Sequence, residues 1–246
     1  MTKTIIYKLF FIILIFLVSG KLSYGQNIEI KFNAYSGLFS FRGNNATSNS
    51  SIISNPYPFY SSPTKFTSNP YGRRNGFSYS LELQGQRLSK RKNIFGLGLS
   101  IEVLTSKVSI NKLVISGDPA ALTYAATGAT KLNNTFFTLN PFVGHRFFYR
   151  NLIFDLGAGS DIAFCLESKE TGNATTNATD YNIKVANEKG KPFIDFRPRI
   201  QLKTQIRKYG FLLGYSLGVT NYQTLNWSHP KAYTSFLRLG LSYQLK

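Results

Sequence analysis

The sequence predicts an all-β fold: an eight-stranded antiparallel up-and-down transmembrane β-barrel, preceded by a cleavable signal peptide. Three observations predict it. Segments of period-2 alternation recur along the chain, and they run past the about 5–6 residues usual for a strand in a soluble domain. They reach the roughly 9–11 residues that a tilted strand needs to cross a bilayer. The links between them alternate long and short. Beyond the first residues the chain also lacks an apolar run of helix length. If it is embedded in a membrane it must therefore close into a barrel, because only helices and closed barrels satisfy every backbone hydrogen bond in lipid.

The N-terminal segment reads as a secretory signal. Lys3 and Lys8 form a basic start, Leu9–Ser19 is apolar, and Ser23 and Gly25 supply small residues at −3 and −1 of a cleavage before Gln26. The expected division is a signal peptide over residues 1–25 and a barrel domain over 26–246. The whole chain carries a formal charge of +18. Residues 1–25 hold three lysines and no acid, so the remainder carries +15. For an exported chain without a nucleic-acid motif, the excess points to anionic lipid head groups, lipopolysaccharide or another polysaccharide, and away from nucleic acid. Cys165 is the single cysteine, which excludes an intramolecular disulfide.

The strands follow in order. The first is Ile28–Phe41, with Ile28, Ile30 and Phe32 opposed to Glu29, Lys31 and Asn33; the pattern blurs at Ser36–Ser40, where a bulge by Gly37 is expected. A polar segment, Gly43–Asn75, reads as a loop from its Asn, Ser and Pro content. The second strand, Gly76–Arg87, sets Phe77, Tyr79, Leu81 and Leu83 against Ser78, Ser80, Glu82 and Gln84. A basic link, Leu88–Asn93, leads to the third, which starts at Ile94 and alternates at least to Val103. Asn111–Leu132 reads as a second long loop. The fourth strand, Asn134–Phe148, turns through Tyr149–Asn151 into the fifth, Leu152–Glu167. Ser168–Lys191 reads as a third loop. The sixth strand, Phe193–Arg207, is linked by Lys208–Gly210 to the seventh, Phe211–Tyr222. The loop Gln223–Lys231 leads to the closing strand, Tyr233–Lys246.

All long connections fall at one end, the asymmetry expected of outer-membrane barrels, with both termini on the periplasmic side. The polar face is rich in glycine, which suits a crowded lumen better than a solvated strand. Its charges also complement one another. Asp155, Asp161 and Glu167 on the fifth strand neighbour Arg197, Arg199, Lys203 and Arg207 on the sixth, whose Asp195 joins the same network, and Glu29 and Glu82 are expected to meet Lys31 and Arg238. We therefore expect the apolar face outside and an ion-paired network filling the lumen, as an eight-stranded barrel has room only for side chains. Aromatics at both ends of the strands fit interfacial girdles, with Trp227, Tyr222 and Tyr233 at the loop end and Phe147, Tyr149, Tyr209, Phe211 and Tyr243 at the turn end. Pro141 and Pro198 fall on the apolar face and predict local interruptions of the ladder.

Catalytic material is thin. The two histidines, His145 and His229, form no cluster with metal-ligand spacing, and no cofactor is expected. Ser228 precedes His229, but a triad is recognised by geometry and not by adjacency. The chain is read as non-enzymatic, with a lipid A-modifying enzyme as the alternative that this pair leaves open. Three further readings are a structural or surface-interaction role through long extracellular loops, a narrow anion-preferring pore lined by Arg197, Arg199 and Lys203, and an accessory role in secretion. Tyr57, Tyr60, Tyr71, Arg73, Arg74 and Trp227 are the candidate loop contacts for a protein or polysaccharide partner.

The signal ending SYGQ, the run PFVGHRFF at Pro141–Phe148 and the ending LRLGLSYQLK resemble the PorT-like small outer-membrane β-barrel proteins of Bacteroidetes. The resemblance implies insertion by the barrel assembly machinery and carries no catalytic residues. Through the family's link to protein secretion and gliding it underlies the accessory reading. The chain departs from many outer-membrane barrels in ending Leu245-Lys246 where an aromatic is usual.

Overall fold

The computed structural model describes residues 27–55, 64–115, 120–176, 181–188, 192–223 and 231–245. The expected signal segment, Tyr57, Tyr60 and Trp227 lie outside the described residues. The strands are β1 (Asn27–Arg42), β2 (Asn49–Asn55), β3 (Thr64–Thr67), β4 (Arg74–Leu88), β5 (Asn93–Ile115), β6 (Leu122–Tyr149), β7 (Leu152–Thr176), β8 (Tyr181–Glu188), β9 (Ile194–Ile206), β10 (Tyr209–Leu217) and β11 (Tyr233–Gln244).

Eight of these close a ring, in the order β1-β4-β5-β6-β7-β9-β10-β11 and back to β1. Every pairing around it is antiparallel and joins ring strands adjacent in the chain, except that the first and last, β1 and β11, pair to close it, so the barrel is up-and-down. Closure leaves no open edge, which is what lets such a sheet sit in lipid. The outer wall is apolar: Leu81, Ile101, Leu156, Ile200, Leu239 and Leu241 are all exposed, Leu241 by 69%. The inner wall is polar: Lys31, Glu82, Glu102, Asp161, Arg197 and Arg238 are each at most 2% exposed. A barrel folded in water has these faces the other way round. This is the construction of a transmembrane barrel.

The long segments between strands are largely not loops, which corrects the reading from composition. β5, β6 and β7 run 23, 28 and 25 residues. They continue past the barrel, and β2 joins β5 in parallel while β8 pairs with β7. β3 completes this extension beside β2. The extension buries its own apolar centre of Ile52, Ile110, Leu113, Ala174 and Val185. Composition suggested loops because the faces outside this centre are water-facing and built of Ser, Thr, Asn and Ala. The inward set is sparse enough to be lost among them.

Two local expectations also change. No register shift occurs at Gly37, where β1 stays in phase with both β4 and β11. The alternation blurs there because the inner face itself changes from polar to aromatic, with Phe39 and Phe41 buried inside. A bulge does occur on β7, where Thr135 pairs with Glu167 but Phe136 pairs with Cys165. Leu166 is the extra residue, and it reverses the phase beyond it. The β6–β7 register is also interrupted between Leu139↔Ile162 and Phe142↔Gly159, the span that contains Pro141. There the Asn140 Nδ2 amide donates to the Ser160 carbonyl at 3.2 Å.

Candidate functional site

The inner face presents two tiers. Nearest the short turns lies a group built on Arg146, whose Nη1 is 2.5 Å from Glu29 Oε1 and whose Nε is 2.7 Å from Asp155 Oδ1. Lys31 Nζ joins it, 3.1 Å from Glu29 and 3.6 Å from Asp155, and donates to Gln205 at 2.7 Å. Further in, Glu82 accepts from Tyr35 Oη at 2.8 Å, Asn33 Nδ2 at 2.7 Å and Arg199 Nη1 at 3.1 Å. Lys203 donates to Gln84. Asp161 then gathers three arginines: Arg238 at 2.6 Å, Arg199 at 3.3 Å and Arg197 at 3.8 Å. Glu102 bridges Arg197 at 2.5 Å and Arg238 at 3.3 Å. Asp195 lies 3.8 Å from Arg197 and accepts from Tyr222 and Thr234.

In this tier six carboxylates (Glu29, Glu82, Glu102, Asp155, Asp161 and Asp195) thus stand among six cations, five of them ion-paired (Lys31, Arg146, Arg197, Arg199 and Arg238) and the sixth, Lys203, held by the Gln84 amide; Glu170 is buried further along β7. The balance has a physical reason. An unpaired charge inside so narrow a lumen has no bulk water to solvate it, and leaving one uncompensated costs several kcal/mol, about 3–5 by the measure of broken buried pairs.

The second tier closes the lumen toward the long-strand end. Phe39, Phe41, Phe136 and Phe236 are fully or almost fully buried there with Leu104, Leu132, Tyr71 and Tyr222. Their rings meet edge to face, Phe41 at 5.0 Å from Tyr222 and 5.2 Å from Tyr71. The tiers are joined by cations over rings, Arg238 at 4.4 Å from the Phe236 centroid and Arg197 at 5.2 Å from that of Phe136. Cys165 packs in this layer as a small side chain.

Of the sequence-predicted lumen residues, the structure places Glu29, Lys31, Glu82, Asp155, Asp161, Asp195, Arg197, Arg199, Lys203 and Arg238 on the inner face. Two details are corrected. Glu167 is outside, 46% exposed and 2.5 Å from Lys169, because the bulge at Leu166 turns it out of the barrel. Glu82 pairs with Arg199 and not with Arg238, since tilt of the strands sets which residues share a height. Glu102 and Arg146 were missed, although both stand in phase with inward neighbours, Ser100 and Phe142.

Of the candidate loop contacts, Arg73 and Arg74 are exposed. Tyr71 is not a surface contact: only 9% exposed, it donates its hydroxyl to the Tyr222 carbonyl at 3.2 Å. Tyr222 is likewise buried in the aromatic layer and leaves the expected girdle. Arg74 pairs in register with Lys107, and Lys107 with Lys131. The three make an outward row of like charge across β4, β5 and β6, an arrangement that cross-strand repulsion disfavours without an anion nearby. Among the described residues no group of three or more His, Cys, Asp and Glu could hold a metal ion.

No protein-family model matches the chain, and no curated protein matches it in sequence. Among solved structures, the chain is similar to Ail, the attachment invasion locus protein of Yersinia pestis, solved with the heparin analogue sucrose octasulfate. That likeness has a TM-score of 0.37 at 7% identity and covers 89% of this chain and 99% of Ail. Neisserial surface protein A gives 0.35 at 6%, covering 87% and 96%. A variant of the monoaromatic hydrocarbon channel TodX gives 0.20 at 7%, covering 88% and 90%. The fold assignment rests on the closed ring and its two faces.

Proposed function

We propose that this chain is a non-enzymatic outer-membrane barrel with a closed lumen, whose interactions are made by the strand extension outside the membrane. The observation that carries this reading is the filled interior. The cations that would select anions in a pore, Arg197 and Arg199, are held by Glu102 and Glu82, and Lys203 by Gln84. The aromatic layer lies across the same lumen. The extension supplies an ordered platform, and its row of Arg74, Lys107 and Lys131 stands beyond the apolar band, where lipopolysaccharide phosphates would meet it. Periplasmic termini, insertion by the barrel assembly machinery and kinship with PorT-like proteins belong to the same reading.

Two measurements on the full chain test it. In planar bilayers the protein should give no steady unitary current; steady currents abolished by Arg199→Glu would establish the pore instead. In detergent, titration with purified lipopolysaccharide should show binding that weakens with salt. The triple variant Arg74→Gln, Lys107→Gln, Lys131→Gln should bind at least about tenfold more weakly, as each cation near an anionic surface contributes on the order of 1 kcal/mol. Unchanged affinity would remove this row from the reading.

A further inference from the structure

The short-turn end carries a different feature. Its three turns hold Lys90, Arg91 and Lys92, then Arg150, then Arg207 and Lys208, all exposed, and no acidic residue occurs in 88–93, 149–152 or 206–209. The backbone makes this choice unexpected. Lys92, Arg150 and Arg207 have φ of 63°, 53° and 53°, and they are the non-glycine residues with positive φ among the described residues. Turns with this geometry favour Gly, Asn or Asp. In each turn a long cation occupies the strained position, so turn geometry does not account for the residue and the charge itself must.

The cations stand at head-group height. The Lys92 ammonium lies 5.0 Å over the Phe148 ring and the Arg150 guanidinium 5.4 Å over Tyr149, in the exposed aromatic band at the rim of the outer wall. Beside Lys92 a shallow apolar depression of the outer wall extends across β5, β6, β7 and β9 between Phe95, Val143, Leu156 and Ile200, over the backbone of Gly144 and Gly157. Its lower end is marked by His145, held to Asn93 at 2.9 Å, and the Lys92 carbonyl accepts from Arg146 N at 2.9 Å. Apolar depression and cation are therefore adjacent, since Asn93 at its edge directly follows Lys92.

We propose that this rim binds anionic phospholipids of the leaflet at the short-turn end, with head groups on the turn cations and one acyl chain in the depression by Phe95 and Ile200. The proposal rests on the transmembrane reading. Its occupant is a lipid and not a soluble polyanion, because the cations cap an apolar wall instead of forming a surface of their own.

The full chain reconstituted in phosphatidylcholine vesicles, with trace spin-labelled phosphatidylglycerol or phosphatidylcholine, tests this through the motionally restricted fraction of each label. Phosphatidylglycerol should be preferred about fivefold at low salt, the effect of roughly one effective cation per lipid site. The preference should fall to near unity in 1 M salt. The variant Lys90→Gln, Arg91→Gln, Lys92→Asn, Arg150→Asn, Arg207→Asn, Lys208→Gln should abolish the preference while keeping heat-modifiable mobility, since Asn suits the left-handed positions. The long-strand-end triple variant at Arg74, Lys107 and Lys131 should retain it. No preference in the inserted wild type, or a preference that survives the turn substitutions, overturns the proposal. Absence of any restricted lipid overturns the transmembrane reading itself. Complete loss of the preference to soluble heparin at low salt, with restricted lipid otherwise unchanged, would show a polyanion site instead.

Discussion

Arg238 on β11 and Asp161 on β7 meet at 2.6 Å across the lumen, from strands that are not neighbours in the ring. The contact joins opposite walls, and Arg238 also reaches Glu102 on β5 at 3.3 Å. Removing this one guanidinium leaves two buried carboxylates short of a partner. Arg238→Leu should therefore destabilise the barrel by about 3–5 kcal/mol. Leu239→Val, one position along but facing outward, should cost under about 1.5 kcal/mol. Unfolding in urea followed by heat-modifiable gel mobility compares them, and the reverse order would place the charged face on the wrong side. In the double variant Arg238→Leu, Asp161→Asn, the loss should be smaller than the sum of the singles, because the orphaned carboxylate is removed with its partner.

The bulge at Leu166 makes a second contrast. Glu102 and Glu167 are both glutamates on long strands, but Glu102 is fully buried between Arg197 and Arg238 while Glu167 pairs at the surface with Lys169. Glu102→Gln is expected to lower the urea midpoint markedly. Glu167→Gln should leave it unchanged within error, as exposed pairs contribute little. Equal losses would mean that the phase of β7 is not reversed at Leu166.

Two glycines separate close approach from open wall. A Cβ at Gly37 would come 2.1 Å from the Leu237 carbonyl oxygen and 2.7 Å from the Phe236 ring, whereas nothing lies within 4 Å of one at Gly85. Gly37→Ala is predicted to destabilise the barrel by at least about 1–3 kcal/mol through overpacking beneath the aromatic layer. Gly85→Ala should be neutral or slightly stabilising. Folding yield into detergent micelles measures both, and a tolerated Gly37→Ala would contradict the tight β1–β11 approach.

Much of the barrel was legible because the membrane imposes two solvents on one strand. In β9, Ile194, Phe196, Ile200 and Leu202 alternate with Asp195, Arg197, Arg199 and Lys203 without a break, so the two faces announce themselves. The extension was not legible. There, water lies outside and only a few residues such as Ile52, Ile110 and Leu113 point in, so β2, β3 and β8 carry the composition of loops. Pairing within the lumen was half legible. Alternation tells which face Glu82 takes, but its height relative to Arg199 or Arg238 depends on strand tilt summed around the ring. A single inserted residue such as Leu166 leaves no compositional trace, since Glu167 is as plausible inside as out until its partner on β6 is known.

Leu239 faces lipid while Arg238 faces the lumen, and the whole architecture depends on that orientation. The most direct test places one tryptophan at Leu239, with Trp227→Phe removing the single native one, in vesicles of brominated phosphatidylcholine. Strong quenching of the Leu239→Trp fluorescence is expected, greatest for bromines deep in the acyl chains, with the barrel still heat-modifiable. A folded barrel whose tryptophan at this position is not quenched would contradict that orientation.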